Sequence, residues 1–283
     1  MRWRQGTKSG NIEDRRGISP GAAGAGIGGI GLVVLLIIAM AMGVDPGQLL
    51  QGTDISPGPM VQQSKLSVEQ QNQLADNVSL VLGSTETTWS EIFRDERGST
   101  YTDPTLVLFT GGVDSACGYA SSAVGPFYCP EDEMVYLDLD FFADLQDQYG
   151  APGDFARAYV IAHEVGHHVQ NLVGTEQQVD AERRHASDVE ANRLSVALEL
   201  QADCYAGVWA NRASHQDLVL DTGDLEEGLN AASAVGDDRL QMESQGYVVP
   251  DSFTHGTSAQ RVAWFRTGFE SGEMTSCDTF SAA

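Results

Sequence analysis

Residues 162–169 read Ala-His-Glu-Val-Gly-His-His-Val, and no other stretch restricts the fold as much. His163 and His167 can turn both imidazoles toward one metal ion only on a helix, where four residues make about one turn. The back of that helix must pack, its histidine face must stay accessible, and a further ligand must come from elsewhere in the chain. Glu164, beside the first histidine, stands where a general base for water at a metal belongs.

The neighbouring residues meet the first demand. We read a helix over residues 155–173, with Gly153-Asp154 at its start and Gly174 at its C′ position. Ala158, Ile161, Val165, Val169 and Leu172 form one apolar stripe, which leaves His163 and His167 on roughly the opposite side. Two metal-free histidines are the plainer account, but apolar Ala162 and Val165 flank Glu164, which argues against a solvated face. His168 lies about 100° round the helix from His167 and reads as structural, or as a partner of Glu164 at i+4.

One class of zinc hydrolase places a glycine three residues, and a third histidine six residues, after the second histidine. Those positions hold Gln170 and Val173, which excludes it. What remains is a carboxylate on a later helix. Residues 187–213 supply one, with Leu194, Leu198, Ala202, Tyr205 and Trp209 as its apolar stripe and Glu199 and Asp203 four apart. Carboxylates in so apolar a helix are costly to bury unless paired or metal-bound. Glu199 is the expected third ligand, and Asp203, one turn on, the acceptor that orients a ligand histidine. Salt bridges to Arg193 or Arg212 are the alternative for either acid. His185, in a polar run, is read as a loop histidine. His255, in a turn before the last helix, is a candidate to steady an oxyanion, with an ordinary turn histidine as the alternative and Tyr247 as the second candidate.

Elsewhere the pattern is mixed. A helix over 66–82 is capped by Ser67 with Gln70 and stopped by Gly83; a shorter one follows over 87–94. Another spans 224–241 with Leu225, Leu229, Ala232 and Val235 inward, and Thr257 with Gln260 caps the last. Residues 105–110 read as a buried strand. In 134–140, Val135, Leu137 and Leu139 alternate with Tyr136, Asp138 and Asp140, as in a half-buried strand. That strand is a candidate edge for an extended peptide, or an ordinary member of a sheet.

The charge of −24 on 283 residues is unevenly spread. The first twenty residues carry five basic and two acidic side chains, and the remainder 11 basic against 38 acidic, or −27. Such a surface repels nucleic acid and excludes that class of partner. Between Arg16 and Asp45 no residue is charged, and residues 27–44 are long enough for a membrane span. The basic flank precedes it, so the positive-inside rule places the N-terminus in the cytoplasm and the acidic bulk outside. A signal peptide cleaved near Ala39-Met40-Ala41 is the rival reading. Four cysteines follow the span, and an oxidising compartment favours two disulfides. Of three pairings we expect Cys117–Cys129, closing a short loop, and Cys204–Cys277, tying the C-terminal segment to a helix.

With these residues in view, the chain resembles the bacterial neutral zinc metallopeptidases, membrane-anchored proteins with a zincin-type domain. The resemblance rests on Met1-Arg2-Trp3-Arg4, Asn11-Ile12-Glu13-Asp14-Arg15-Arg16-Gly17, the apolar span, residues 162–170 and 198–209, and Phe253-Thr254-His255-Gly256-Thr257-Ser258 with Arg261. Only the tether and residues 176–187 lie outside it. It implies His163, His167 and Glu199 as zinc ligands and Glu164 as base, and it strengthens His255.

The expected fold is α+β, mostly α: a zincin-like metallopeptidase domain with a small sheet over residues 65–283. A cytoplasmic segment 1–26, a transmembrane helix 27–44 and a linker 45–64 precede it. The expected protein binds one Zn2+ per chain and hydrolyses a peptide or protein substrate outside the cytoplasm. A non-catalytic envelope binding module with structural zinc, and a zinc amidase acting on cell-wall peptide, are the alternatives.

Overall fold

The computed structural model describes residues 1–4, 6–17 and 64–281. In chain order these form β1 (Arg2–Trp3), β2 (Ile12–Asp14), α1 (Val68–Glu96), β3 (Thr105–Phe109), β4 (Gly112–Ser115), β5 (Gly118–Ser121), β6 (Phe127–Cys129) and β7 (Met134–Asp138). There follow α2 (Asp140–Asp147), α3 (Asp154–Val173), α4 (Thr175–Arg183), α5 (Asp188–His215), β8 (Leu218–Val219), α6 (Asp224–Ala234), α7 (Asp237–Gln245) and α8 (Ser258–Ser271). The architecture is α+β and mostly helical, with a small sheet, as expected.

Helix starts are dictated locally. Ser67, Ser187 and Thr257 each accept the backbone N–H three residues on, while Gln70, Glu190 and Gln260 bond back to the cap. α3 ends at Gly174, whose φ of 83° is the left-handed geometry that closes a helix most cheaply with glycine. Three local expectations are corrected. The helix expected to stop at Gly83 continues to Glu96, 29 residues in all, and absorbs the shorter helix expected over 87–94. Gly83 is there for a close approach: a Cβ at that point would sit 2.2 Å from the carbonyl oxygen of Thr7. The helix expected over 224–241 is two, α6 and α7. It breaks so that the Asp237 carboxylate can accept the backbone N–H groups of Thr254, His255 and Gly256 at 2.8, 2.6 and 3.0 Å. Third, residues 175–183, where no helix was expected and which fall largely in the stretch outside the family resemblance, form α4.

The main sheet has the order β2-β3-β7-β6, parallel between β2, β3 and β7 and antiparallel between β7 and β6. β7 is therefore an interior strand, which removes it as an edge for an extended peptide. It is also buried on both faces rather than one: Tyr136 is stacked on Phe127 at 4.8 Å, and Asp138 is buried. The strand ends at Asp138 instead of running to Asp140. Asp138 turns the chain into α2 by accepting the N–H groups of Gly111 and Asp140, at 2.8 and 3.0 Å.

α3 lies at the centre, packed against α1, α5 and α6. Its apolar stripe is buried, with Phe155 stacked on Trp209 and Tyr159 edge-on to Phe265. α5 and α8 meet backbone to backbone, since a Cβ on Gly268 would lie 1.9 Å from the carbonyl oxygen of Cys204. Both expected disulfides are formed, with Cα–Cα distances of 5.9 Å for Cys117–Cys129 and 5.6 Å for Cys204–Cys277.

The beginning of the chain is part of this body. β1 pairs with β8, β2 forms one edge of the main sheet, and Ser9 and Asn11 both donate to Glu86 of α1, at 2.6 and 2.9 Å. The α-amino group of Met1 lies 3.0 Å from Asp154 and 3.1 Å from Asp224. Strand pairing with β8 and β3 thus packs residues 2–3 and 12–14 against the domain expected over 65–283. Among the described residues no helix is long and apolar enough to cross a membrane. The span expected over 27–44, and the linker expected over 45–64 except Ser64, lie outside the described residues.

Candidate metal centre

Gly166, between the two histidines on α3, faces the backbone of Ala202 on α5, where an added Cβ would meet the Ala202 oxygen at 3.0 Å. This approach sets Glu199 and Asp203 against the histidine face. His163 Nε2 lies 3.2 Å from His167 Nε2 and 3.2 Å from Glu199 Oε2, and His167 Nε2 lies 3.5 Å from Glu199 Oε1. The two histidines thus meet different oxygens of the one carboxylate, and one ligand atom from each of His163, His167 and Glu199 lies within 4.8 Å of the other two, close enough for the three groups to share one zinc-sized ion.

The surrounding hydrogen bonds favour a cation. His163 Nδ1 is 3.0 Å from Asp203 Oδ1, and His167 Nδ1 is 2.9 Å from the side-chain oxygen of Gln170. Each partner offers an oxygen, so each imidazole keeps its proton on Nδ1 and turns an Nε2 lone pair inward. Two lone pairs and a carboxylate converging at such distances need a positive charge between them. Zinc, with its preference for imidazole and carboxylate ligands, fits this donor set.

Electrostatics point the same way. Burial works against a charged His163, yet its bonds to Asp203 and Glu199 raise its pKa to about 10, so protons and a metal compete for this site. Burial alone would raise the Glu199 carboxyl, but His167 and His163 together hold it well below the usual range. Glu164 is 8 % exposed, and there burial wins: its pKa is raised, with His163 and His167 only partly offsetting desolvation. A carboxyl raised in this way suits a base working near neutral pH.

Behind the centre sits a residue whose role the sequence does not reveal. Arg261, on α8, is buried and grips both oxygens of Asp203, at 2.8 and 3.0 Å, and its guanidinium approaches Glu199 to 3.7 Å. The Tyr159 hydroxyl donates to the same Asp203 at 2.5 Å. Neither Arg193 nor Arg212 pairs with Glu199 or Asp203; Arg212 binds Glu96 and Glu273 instead. No periodicity could have found Arg261, because its partners are a different helix and 58 residues away.

The remaining expectations divide. His168 is fully buried away from Glu164, bonded to the Thr102 carbonyl at 2.7 Å and the Tyr128 hydroxyl at 3.1 Å, and its pKa is lowered by burial. His185 is exposed at the end of α4. His255 lies beside the centre: Gly256, next to it, is against Val196 and Leu200 of the α5 turn that carries Glu199. Asp237 holds its Nδ1 at 3.3 Å, and the bond to Asp237 raises its pKa against burial, with Glu199 adding to the rise. Tyr247 is 59 % exposed in the loop after α7 and makes none of the centre's hydrogen bonds among the described residues. A second group, Asp154, Asp224 and Glu227, also converges, but Asp154 and Asp224 pair with the Met1 ammonium group and Glu227 accepts the Phe155 N–H.

These features agree with comparisons to known proteins. The chain is 50 % identical over 289 residues to the uncharacterized protein YpfJ of Escherichia coli (strain K12), covering 99 % of each. It is 41 % identical over 261 residues to the uncharacterized protein Rv2575 of Mycobacterium tuberculosis (strain H37Rv), covering 87 % of this chain and 86 % of the other. No solved structure matches it. The family described as "Putative neutral zinc metallopeptidase" matches residues 1–280, and the chain belongs to that family.

Proposed function

We propose that the protein is a zinc-dependent peptidase with a zincin-like active site, holding one zinc ion on His163, His167 and Glu199. The observation that carries this reading is the convergence of His163, His167 and Glu199, with one ligand atom of each within 4.8 Å of the others, beside a buried Glu164 whose pKa is raised. Three protein ligands would leave room for water, as in catalytic sites, and a zinc held there would lower the pKa of that water to about 7 and polarise a carbonyl.

The chain's own groups supply the rest. Glu164 takes the proton of the attacking water and passes it to the departing amine. Asp203 and Gln170 keep the two imidazoles oriented, and Arg261 offsets the charge of Asp203. His255, held at Nδ1 by Asp237, keeps Nε2 for a hydrogen bond to the oxyanion that develops on the scissile carbonyl.

The two disulfides support a domain outside the cytoplasm, and the apolar residues 27–44 support attachment to a membrane. Because β1 and β2 belong to the same body as the centre, this reading puts residues 1–17 on the same side as the site rather than in the cytoplasm.

Metal analysis of the purified protein and digestion of a broad peptide library, with Glu164→Gln alongside, test the proposal. Wild type is expected to carry one zinc and cleave peptides, and Glu164→Gln to keep the zinc and lose orders of magnitude in turnover. Zinc retention by wild type without any peptide cleavage would turn the reading toward a binding module.

A further inference from the structure

The two ligand histidines are held by different chemistry. His163 faces the carboxylate of Asp203, whereas His167 faces a neutral amide, Gln170, which is 1 % exposed. An amide can present either its oxygen or its NH2 group to an imidazole, and the two choices select opposite tautomers. What decides between them lies one step further out. Gln170 Nε2 donates to the backbone oxygen of Leu198 at 2.7 Å, and a carbonyl can only accept. Its oxygen is therefore the atom left for His167.

The same logic repeats behind it. Gln201 is buried and donates from Nε2 to the backbone oxygen of Cys277 at 2.9 Å, so its own oxygen faces Gln170 Nε2, at 3.2 Å. Cys277 is in turn bonded to Cys204 on the helix that carries Gln201. Two backbone carbonyls thus orient two amides in series, and the series ends on His167 Nδ1. With its proton held there, His167 has only Nε2 free, and Nε2 is the atom facing His163 Nε2 and Glu199. A neutral acceptor does this without adding a third carboxylate to a centre that already holds Glu199 and Asp203.

We propose that Gln170, oriented by the Leu198 carbonyl and backed by Gln201, is a positioning residue that fixes the tautomer of His167 and thereby the strength of metal binding. The proposal rests on the metal-centre reading above. It assigns Gln170 no contact with substrate or water.

The test measures zinc affinity of the full chain by competition with a chromogenic chelator, together with the ring-nitrogen NMR signals of His167. Gln170→Met keeps the length and apolar stem but has no acceptor of comparable strength. It is expected to weaken zinc binding about 10- to 100-fold and to lose the Nδ1-protonated signature in the metal-free protein, a change of tautomer that a purely structural role for the amide would not produce. Wild-type affinity and an unchanged tautomer in Gln170→Met overturn the proposal. Absence of zinc binding by wild type removes the metal-centre reading and this inference with it. Should Gln170→Met not fold, Gln201→Met reads the same series one group further out: a several-fold loss supports it and an unchanged affinity overturns it.

Discussion

Arg261 and Asp203 meet through two hydrogen bonds, of 2.8 and 3.0 Å, with the arginine 3 % and the aspartate 0 % exposed. The pair couples α8 to α5 directly behind His163 of the candidate centre, since Asp203 also faces His163 Nδ1 at 3.0 Å. Removing one member of such a pair leaves the other charge buried and uncompensated, which typically costs about 3–5 kcal/mol. Arg261→Met is expected to fall in that range in urea unfolding. Asp203→Asn combined with Arg261→Met is expected to cost clearly less than the two single changes summed, because the second loses only a charge already orphaned. Additive losses would show that the pair is not coupled.

His255 and Asp237 form a second ion pair, and here pH decides its value. His255 is half exposed, and the bond to Asp237 raises its pKa above 6.5, so its contribution is complete below 6.5 and is lost as pH rises through the folded value. Burial opposes ionisation of Asp237, but its bonds with His255 hold its pKa below 3.8, so that contribution is present above 3.8 and is lost as pH falls through the folded value. The pair therefore stabilises most between these limits. The stability difference between wild type and His255→Gln is expected to be largest near pH 5–6 and to shrink above neutrality. A His255 ring that titrates at or below 6.5 by NMR would contradict this.

How much of the centre could be read in advance follows from how far apart its parts are. His163, Glu164 and His167 share one helical turn, and Glu199 and Asp203 share another, so spacing and an apolar background reveal them. Arg261, Tyr159 and Asp237 act across helices and leave no periodic trace. Gln170 was visible only as the residue standing where another class has glycine; its role depends on the carbonyl of Leu198, and backbone groups carry no sequence signature. The same limit applies to the fold. A capping box is local, and those at Ser67 and Thr257 are read from the sequence, while the one at Ser187 with Glu190 carries the same signature and was not expected. Gly83 looked like a stop because nothing nearby in sequence shows that the backbone of residues 7–9 packs against it. Tyr136 and Asp138 looked solvent-facing because their neighbours, β3 and β6, lie on other strands.

The two disulfides should differ in what they contribute. Cys117 and Cys129 are separated by 12 residues, Cys204 and Cys277 by 73. On the chain-entropy account the shorter loop is worth about 3 kcal/mol and the longer about 4.5 kcal/mol. Cys204→Ala with Cys277→Ala is therefore expected to destabilise more than Cys117→Ala with Cys129→Ala in urea unfolding. It is also expected to weaken zinc binding, because the Cys277 carbonyl orients Gln201. The shorter disulfide, on the β4–β6 side of the sheet, should leave zinc binding unchanged.

The most consequential prediction concerns the beginning of the chain. β2 exchanges backbone pairing with β3 over Ile12–Asp14, and the Ser64 hydroxyl donates to Asp140 at 2.5 Å. Residues 12–14 and the residues from Ser64 on therefore belong to one folded body. Backbone hydrogen bonds cannot be exchanged across a hydrocarbon layer of about 30 Å, so a single crossing by residues 27–44 and the β2–β3 pairing are mutually exclusive. Epitopes placed at Gly10, where an added Cβ meets nothing within 4 Å, and after residue 281 should both be reached by antibody from the same side of intact cells or spheroplasts. Labelling from opposite sides, with both disulfides intact, would restore the single crossing and rule out the strand pairing in the membrane-inserted protein.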